Sequence, residues 1–313
     1  MTQDDRTPRT LTTRLATSAQ LEHLVRSRGL GDLLDQFIAG ETPSTAVVLA
    51  MDLATKGLDV DFARTTTTAT TEQDAQQAAD EYLEVVQSAH GAGLVGFDVS
   101  IALHGLGLAL GGRGRQLALA HARDIAEAAH AAGGTTTVEM GPPDEVDDVL
   151  AAVVELRRAR PDVGVTLQAR LCRSASDLEQ FLDAGSRVRL CKGAFPVGHA
   201  ETFDTEREAD RNFVRMLRTL HESDAYPMTA THDARLVSIN HELVRRNRRT
   251  RADYEFQMLL GVRSLEHRRL VDTGRRLRVY LPFGRRWYAY IVHRALDNPR
   301  TFGLFARQLV NRR

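Results

Sequence analysis

The chain is poor in several features that settle a protein's class at a glance. Among its 313 residues are two cysteines, Cys172 and Cys191, and one tryptophan. Two cysteines without CxxC spacing make neither a disulfide framework nor a thiolate metal centre, so no metal site is expected and both read as small buried thiols in a reducing compartment. No stretch approaches the roughly 20 apolar residues of a membrane-spanning helix, which leaves no integral membrane segment to expect. Residues 1–18 are polar, rich in threonine and arginine, and without the apolar run of a secretory leader. They read as a flexible tail on a soluble, cytoplasmic protein. Excess charge is also missing, with 41 Lys and Arg against 41 Asp and Glu. That balance argues against a nucleic-acid coat or a polybasic membrane anchor.

What is present is an ordinary globular composition, 42% apolar and 26% charged, which excludes collagen-like or low-complexity architecture. The length suits two average domains or one α/β barrel of about 250 residues. The zero net charge hides an asymmetry. Residues 235–313 hold 19 arginines, no lysine and 6 acids, a surplus that serves either an anionic ligand or solvated helix faces.

Residues 19–56 read as N-terminal helices, with Leu21 to Phe37 helical and breaks at Ala39-Gly40 and Thr42-Pro43. From residue 57 a period of roughly 30 residues sets in, short β-branched runs alternating with Ala-, Leu- and Arg-rich helical stretches. The expected strands are Leu58 to Phe62, Gly96 to Leu103, Thr135 to Glu139, Val163 to Gln168, Arg187 to Lys192, Met228 to Thr231, Tyr254 to Met258 and Leu277 to Leu281. A helix follows each, among them Ser174 to Asp183 and Glu201 to Glu222. Eight such units over residues 57–313 close most economically into a (β/α)₈ TIM-like barrel. The alternative is an open dinucleotide-binding sheet. Its best glycine candidate, Gly105-Leu106-Gly107-Leu108-Ala109-Leu110, lacks the third glycine, so Gly105 to Gly114 reads as a flexible loop.

A barrel builds its active site from residues just past the strand C-termini. Here those positions carry Glu139, Gln168, Arg189 with Lys192, Thr231-His232-Asp233, Glu255 with Gln257, and Tyr280. Convergent, partly desolvated charges cost free energy unless a ligand or partner compensates them. Lys192 has two sharp readings, a Schiff-base nucleophile or a fixed cation facing an anion. Gly193 and Ala194 beside it would let the backbone approach a ligand closely. His232 between two polar neighbours favours ligand contact over a purely structural role.

The string Arg189-Leu190-Cys191-Lys192-Gly193-Ala194-Phe195 resembles the RLVKGAY motif of proline dehydrogenases. Thr231-His232-Asp233 is similar to their T/S-H-N/D triplet, and Tyr254 to Leu259 to FEFQML. Arg278 to Gly284, with Trp287-Tyr288 and Arg294, resembles RVYVPYG followed by the WY and arginine pattern of the last helix. The resemblance implies a flavin-dependent barrel whose final helix caps the flavin, with non-covalent FAD as cofactor. It implies that Gln168, Arg189, Lys192, Gly193, Ala194, Thr231, His232, Asp233, Glu255, Gln257 and Asp297 hold the cofactor. Tyr280, Arg294, Glu139, His293 and Leu259 are then the catalytic and substrate-contact candidates. The chemistry implied is hydride transfer from a carbon beside an amine nitrogen to flavin N5. The partners implied are a small-molecule amine or imino acid and an electron acceptor such as a quinone or oxygen, with no nucleic acid.

The substrate half departs from the family pattern. His293 stands where the first of two arginines is found, Ala102 where strand 2 has a lysine, Gly141 where strand 3 has a second acid, Phe195 in place of a tyrosine, and Arg170 in place of another. Together Ala102 and Gly141 would remove one ion pair. The expectation is an FAD-dependent oxidoreductase of CH–NH donors acting on proline or on a different nitrogenous substrate. A non-catalytic flavin-binding protein and a Lys192 Schiff-base aldolase are the other readings.

Overall fold

Charged and apolar residues alternate along the strands, and that period of two decides which side of each strand faces the helices. The computed structural model describes residues 36–193 and 200–297, with side chains as far as 292. The order is α1 (Pro43–Thr55), β1 (Asp59–Arg64), α2 (Glu72–Gly91), β2 (Asp98–Ile101), α3 (Gly114–Ala131), β3 (Thr135–Val138), α4 (Val146–Ala159), β4 (Gly164–Gln168), α5 (Ser174–Leu178), β5 (Arg187–Cys191), α6 (Glu206–Glu222), β6 (Tyr226–Ala230), α7 (Ala234–Arg246), β7 (Glu255–Leu259), α8 (Ser264–Asp272), β8 (Leu277–Phe283) and α9 (Trp287–Asp297). The eight strands form a closed parallel barrel in sequence order. β8 closes it on β1, in register from Asp59 opposite Arg278 to Arg64 opposite Phe283.

Local sequence accounts for the helix starts. Thr71 and Thr205 each accept from the backbone N–H three residues on, while Asp74 and Glu208 reach back to the cap, so α2 and α6 begin with reciprocal capping boxes. The expected break at Thr42-Pro43 is instead a helix start. Thr42 caps α1 and Pro43 occupies its first position, where its missing N–H costs nothing. The helix expected over Ser174 to Asp183 is reduced to α5 and a 3₁₀ turn, Glu179–Phe181. Gly105 to Gly114, expected as a flexible loop, instead contains the second half of a 3₁₀ turn, Leu103–Leu106, all of another, Leu108–Leu110, and the first residue of α3. The helix expected over Leu21 to Phe37 lies outside the described residues except at its end, where Gln36 and Phe37 form a turn. Neither cysteine is buried as expected. Cys172 lies exposed on the turn after β4, and Cys191 is half-buried at the end of β5.

The barrel is apolar outside and ionic inside. Val60, Phe62, Val188, Leu190, Val279 and Leu281 are buried, in one cluster with Val85, Ala122, Val153, Phe213 and Val237 from the helices. The residues between them carry charge and meet across the barrel axis. Arg278 donates from Nε and Nη2 to the two oxygens of Glu255 at 2.7 and 3.0 Å, and from Nη1 to the carbonyls of Val60 and Gly96. Arg276 pairs with Asp59 at 2.6 Å. Asp98 accepts from Thr135 and Thr137 at 2.8 and 2.6 Å and pairs with Arg187 at 3.4 Å. Branched apolar residues usually fill this space.

Buried charges are stable only in company, so each acid is tuned by its arginines. Burial raises the Glu255 carboxyl, but Arg278 outweighs it, with help from Arg187 and Gln257, and holds it well below the usual carboxylate range. The stability this group contributes is therefore present above its unfolded value and lost as pH falls through the folded one. Glu255→Gln leaves Arg278 with the more distant Asp59, 3.9 Å away, as a counter-charge. It should lower unfolding stability in urea by about 3–5 kcal/mol at neutral pH, with the deficit narrowing towards acid pH.

Candidate active site at the barrel mouth

The strand C-termini converge on one rim, where Glu139, Lys192, Gly193, Thr231, His232, Leu259 and Tyr280 are all half-buried. Beneath them lies Arg189, 4% exposed. Its guanidinium is fully engaged: Nε donates to Gln257 Oε1 at 2.6 Å, Nη1 to Ser100 Oγ at 2.7 Å and Nη2 to Asp61 Oδ2 at 2.7 Å. Asp98 lies 3.5 Å from Nη2 as well. Gln257 passes the contact down to Glu255 at 2.7 Å, so a continuous network joins the mouth to the ion pairs of the base.

Above Arg189 stands the pair Tyr280 and Glu139. The Tyr280 hydroxyl donates to Glu139 Oε1 at 2.6 Å. Arg189 lies 5.8 Å from the Tyr280 ring centroid and 3.9 Å from the same carboxylate oxygen. This fixes a carboxylate and a phenol at the mouth, over a cation that cannot turn away.

A second cluster occupies the ends of β4, β5 and β6. Lys192 pairs with Asp210 and lies 3.5 Å from Glu206, both on the first turns of α6. Arg170, itself buried, pairs with Glu206, and Arg235 bridges Asp210 and Asp233 at 3.4 and 2.9 Å. Three cations are thus gathered on one side of the mouth and balanced by three acids. An amine ion-paired to two carboxylates is a poor Schiff-base nucleophile, which favours the fixed-cation reading of Lys192. Gly193 has φ of 101°, and a Cβ there would lie 2.5 Å from Gln168 Oε1. Glycine is therefore required, because the left-handed backbone packs against the Gln168 side chain with no room for a Cβ. Gln168 is held in turn by a 3.3 Å bond from Nε2 to the Gly141 carbonyl.

His232 accepts from the Leu259 backbone N–H through Nε2 at 2.9 Å, which assigns its proton to Nδ1. Arg263 holds the His232 carbonyl at 2.7 Å. Asp233 accepts from the Arg235 backbone N–H at 2.8 Å and so caps α7.

Glu139, Gln168, Lys192, Gly193, Thr231, His232, Leu259 and Tyr280 come together at the mouth. Glu255 does not: as the first residue of β7 it sits at the opposite end of the strand, fully buried against Arg278. Gln257 and Arg189 lie one layer below the rim, tied to each other. Ala194 and Phe195 lie outside the described residues, as do the side chains of His293, Arg294 and Asp297 on α9. Gly141 carries no acid, yet a Cβ there would lie 2.5 Å from Glu145 Oε2, so the Glu145 carboxylate fills that space. Sequence reasoning passed over Asp61, Ser100, Glu206 and Asp210. The first two had a signal, since a polar residue alternating with apolar ones in a barrel strand points inward. The two acids of α6, four apart, share one helix face.

The comparisons agree with this geometry. A sequence-family model described as proline dehydrogenase matches residues 48–303. Proline dehydrogenase 1 of Bacillus subtilis subsp. natto is 30% identical over 264 residues, 84% of this chain and 86% of that protein. The proline dehydrogenase of Deinococcus radiodurans is 30% identical over 288 residues, 91% of this chain and 92% of the relative. Among solved structures, proline utilization A (PutA) of Bdellovibrio bacteriovorus, inactivated by N-propargylglycine, superposes with a TM-score of 0.78 at 21% identity, over 89% of this chain and 34% of that longer one. At that identity the likeness shows the fold.

Asp61 generates a prediction of its own. Burial pushes its carboxyl up to about 6, Arg189 opposing and the neighbouring Asp98 adding to the rise. The folded chain therefore keeps a proton that the unfolded chain releases, and this group's contribution to stability falls as pH rises from about 4 through about 6. Asp61→Asn cannot titrate. The wild-type minus variant difference in unfolding free energy should drop across that window by up to about 3 kcal/mol, measured by urea titration at stepped pH. A flat difference would mean that Asp61 ionises normally.

Proposed function

The chain belongs to the proline dehydrogenase family, and from that premise we propose how its barrel mouth oxidises the carbon–nitrogen bond of a small amine. It is an FAD-dependent oxidoreductase of CH–NH donors, and L-proline is the donor its relatives' names indicate. The observation that carries the site assignment is the presence, at one mouth, of a cation-and-glycine cradle beside a carboxylate–phenol pair.

The cradle fits the cofactor. Lys192 and Arg170 offer charge to its phosphates, Gly193 has no side chain to obstruct them, and Gln168, Thr231 and His232 supply polar contacts along the same rim. When bound, the flavin supplies an acceptor for the hydride that leaves the carbon next to nitrogen. The protein's part is binding, orientation and charge. Arg189, locked by Asp61, Ser100 and Gln257, keeps a fixed positive charge under the mouth. Tyr280 holds Glu139 through Oε1, and Oε2 is left to receive the N–H of the substrate. Leu259 adds an apolar wall that excludes water. Arg294 is assigned to the substrate carboxylate, with Asp297 on the cofactor side and His293 as a pH-dependent partner. The proposal includes a cytoplasmic location and reoxidation by a quinone or by oxygen.

A second reading, a different nitrogenous substrate, is favoured by one specific feature: Ala102 is buried and uncharged at the end of β2, so a cation expected there is missing. Anaerobic titration of the FAD-loaded protein separates the two. L-proline should bleach the flavin absorbance, and Tyr280→Phe, which releases Glu139, should lower kcat/KM by about 10- to 100-fold. Bleaching by another cyclic or open-chain amine and not by proline would establish the second reading. If no amine bleaches it, the protein binds flavin without this chemistry.

A further inference from the structure

Residues 36–42 run as a strap beside the mouth. Ala39 N donates to Pro282 O at 2.7 Å and Gly284 N to Gly40 O at 2.9 Å, which pins the strap to the end of β8. Phe37, Ile38 and Ala39 are buried. On the β7 side the fit leaves no slack, since a Cβ on Gly261 would lie 2.3 Å from Gln36 O and 2.6 Å from the Phe37 ring. The strap lies ahead of the stretch 48–303 matched by the family model.

Its second attachment is to α9. Glu41 Oε1 accepts a hydrogen bond from Trp287 Nε1 at 3.0 Å. Ile38 packs with Trp287 and Tyr288 in a small cluster separate from the main core, and Tyr290, Ile291 and Val292 join it from the same helix. The first turn of α9 therefore leans on the strap rather than on the barrel interior. Glu41 is the strap's carboxylate, and a hydrogen bond to a charged acceptor is stronger and more directional than apolar contact.

We infer that Glu41 is a positioning residue for the active site: through Trp287 it fixes α9, and so sets how tightly the mouth retains its cofactor. The inference rests on the reading that α9 covers a flavin. It differs from a stabilising role because the strap's hydrogen bonds to β8 involve backbone alone and would survive the loss of Glu41.

Trp287 is the chain's sole tryptophan, so its emission reports this contact without interference. In Glu41→Ala the emission of the apo-protein should shift to the red and the Kd for FAD should rise about fivefold, with the melting temperature unchanged. Glu41→Gln keeps an acceptor oxygen at the same place and should restore both readouts. Trp287→Phe removes the donor, and the double variant with Glu41→Ala should bind FAD no more weakly than either single one. Unchanged FAD affinity in Glu41→Ala, failure of Glu41→Gln to restore it, or additive losses in the double variant would each overturn the inference. Wild-type protein that does not bind FAD would overturn the functional reading itself and take this inference with it.

Discussion

The rest of the molecule depends on how a guanidinium is held in the middle of the barrel. Arg189 is buried beneath the mouth, and each of its nitrogens is bonded to a residue of a different strand, β1, β2 or β7. A cation buried alone costs far more than a domain's net stability, so the strands that supply its partners must close around it. Register and function are thereby linked. A one-residue slip in β1 would turn Asp61 outward and bring Phe62 into the ionic interior.

A lattice of this kind contributes less to stability than its number of contacts suggests. Desolvation consumes most of the Coulomb gain, and a packed apolar core of the same volume does as well or better. Its value lies in orientation. Arginines with three fixed partners hold a charge in place without reorganising, which is what a site that meets an anionic or developing charge needs. The inward face of the barrel has given up the usual branched residues, and the outward faces of the same strands keep the chain folded by packing on the helices.

The mouth divides into two halves with different electrostatics. On the β4 to β6 side, Lys192, Arg170 and Arg235 are each balanced by an acid, so an incoming phosphate exchanges one set of ion pairs for another and the affinity should be sensitive to salt. On the β3 and β8 side, Glu139 is held through Oε1 by a phenol and a more distant cation, and among the described residues nothing bonds its Oε2. Family patterns for the substrate are altered on this second side at Ala102 and Gly141, and on the first at Arg170 and Phe195, while Lys192 and Gly193 keep the pattern there.

The sequence determined the architecture. Eight alternating units and the polar strand ends require only local pattern, and local pattern is what a chain displays. It also marked the rim, because Glu139, Lys192, Gly193 and His232 each stand just past the end of a strand, while Tyr280 reaches the mouth from the middle of β8. Tertiary structure alone decided what those residues touch. Glu255 reads like a rim residue but lies at the opposite end of β7, since a motif does not say where its strand begins. Arg189 reads like a ligand contact, yet its partners Asp61 and Ser100 are 128 and 89 residues away. Glu41 sits 246 residues from Trp287. Pairings over such separations come from barrel closure, which sets every register at once and leaves no trace in the neighbourhood of either residue.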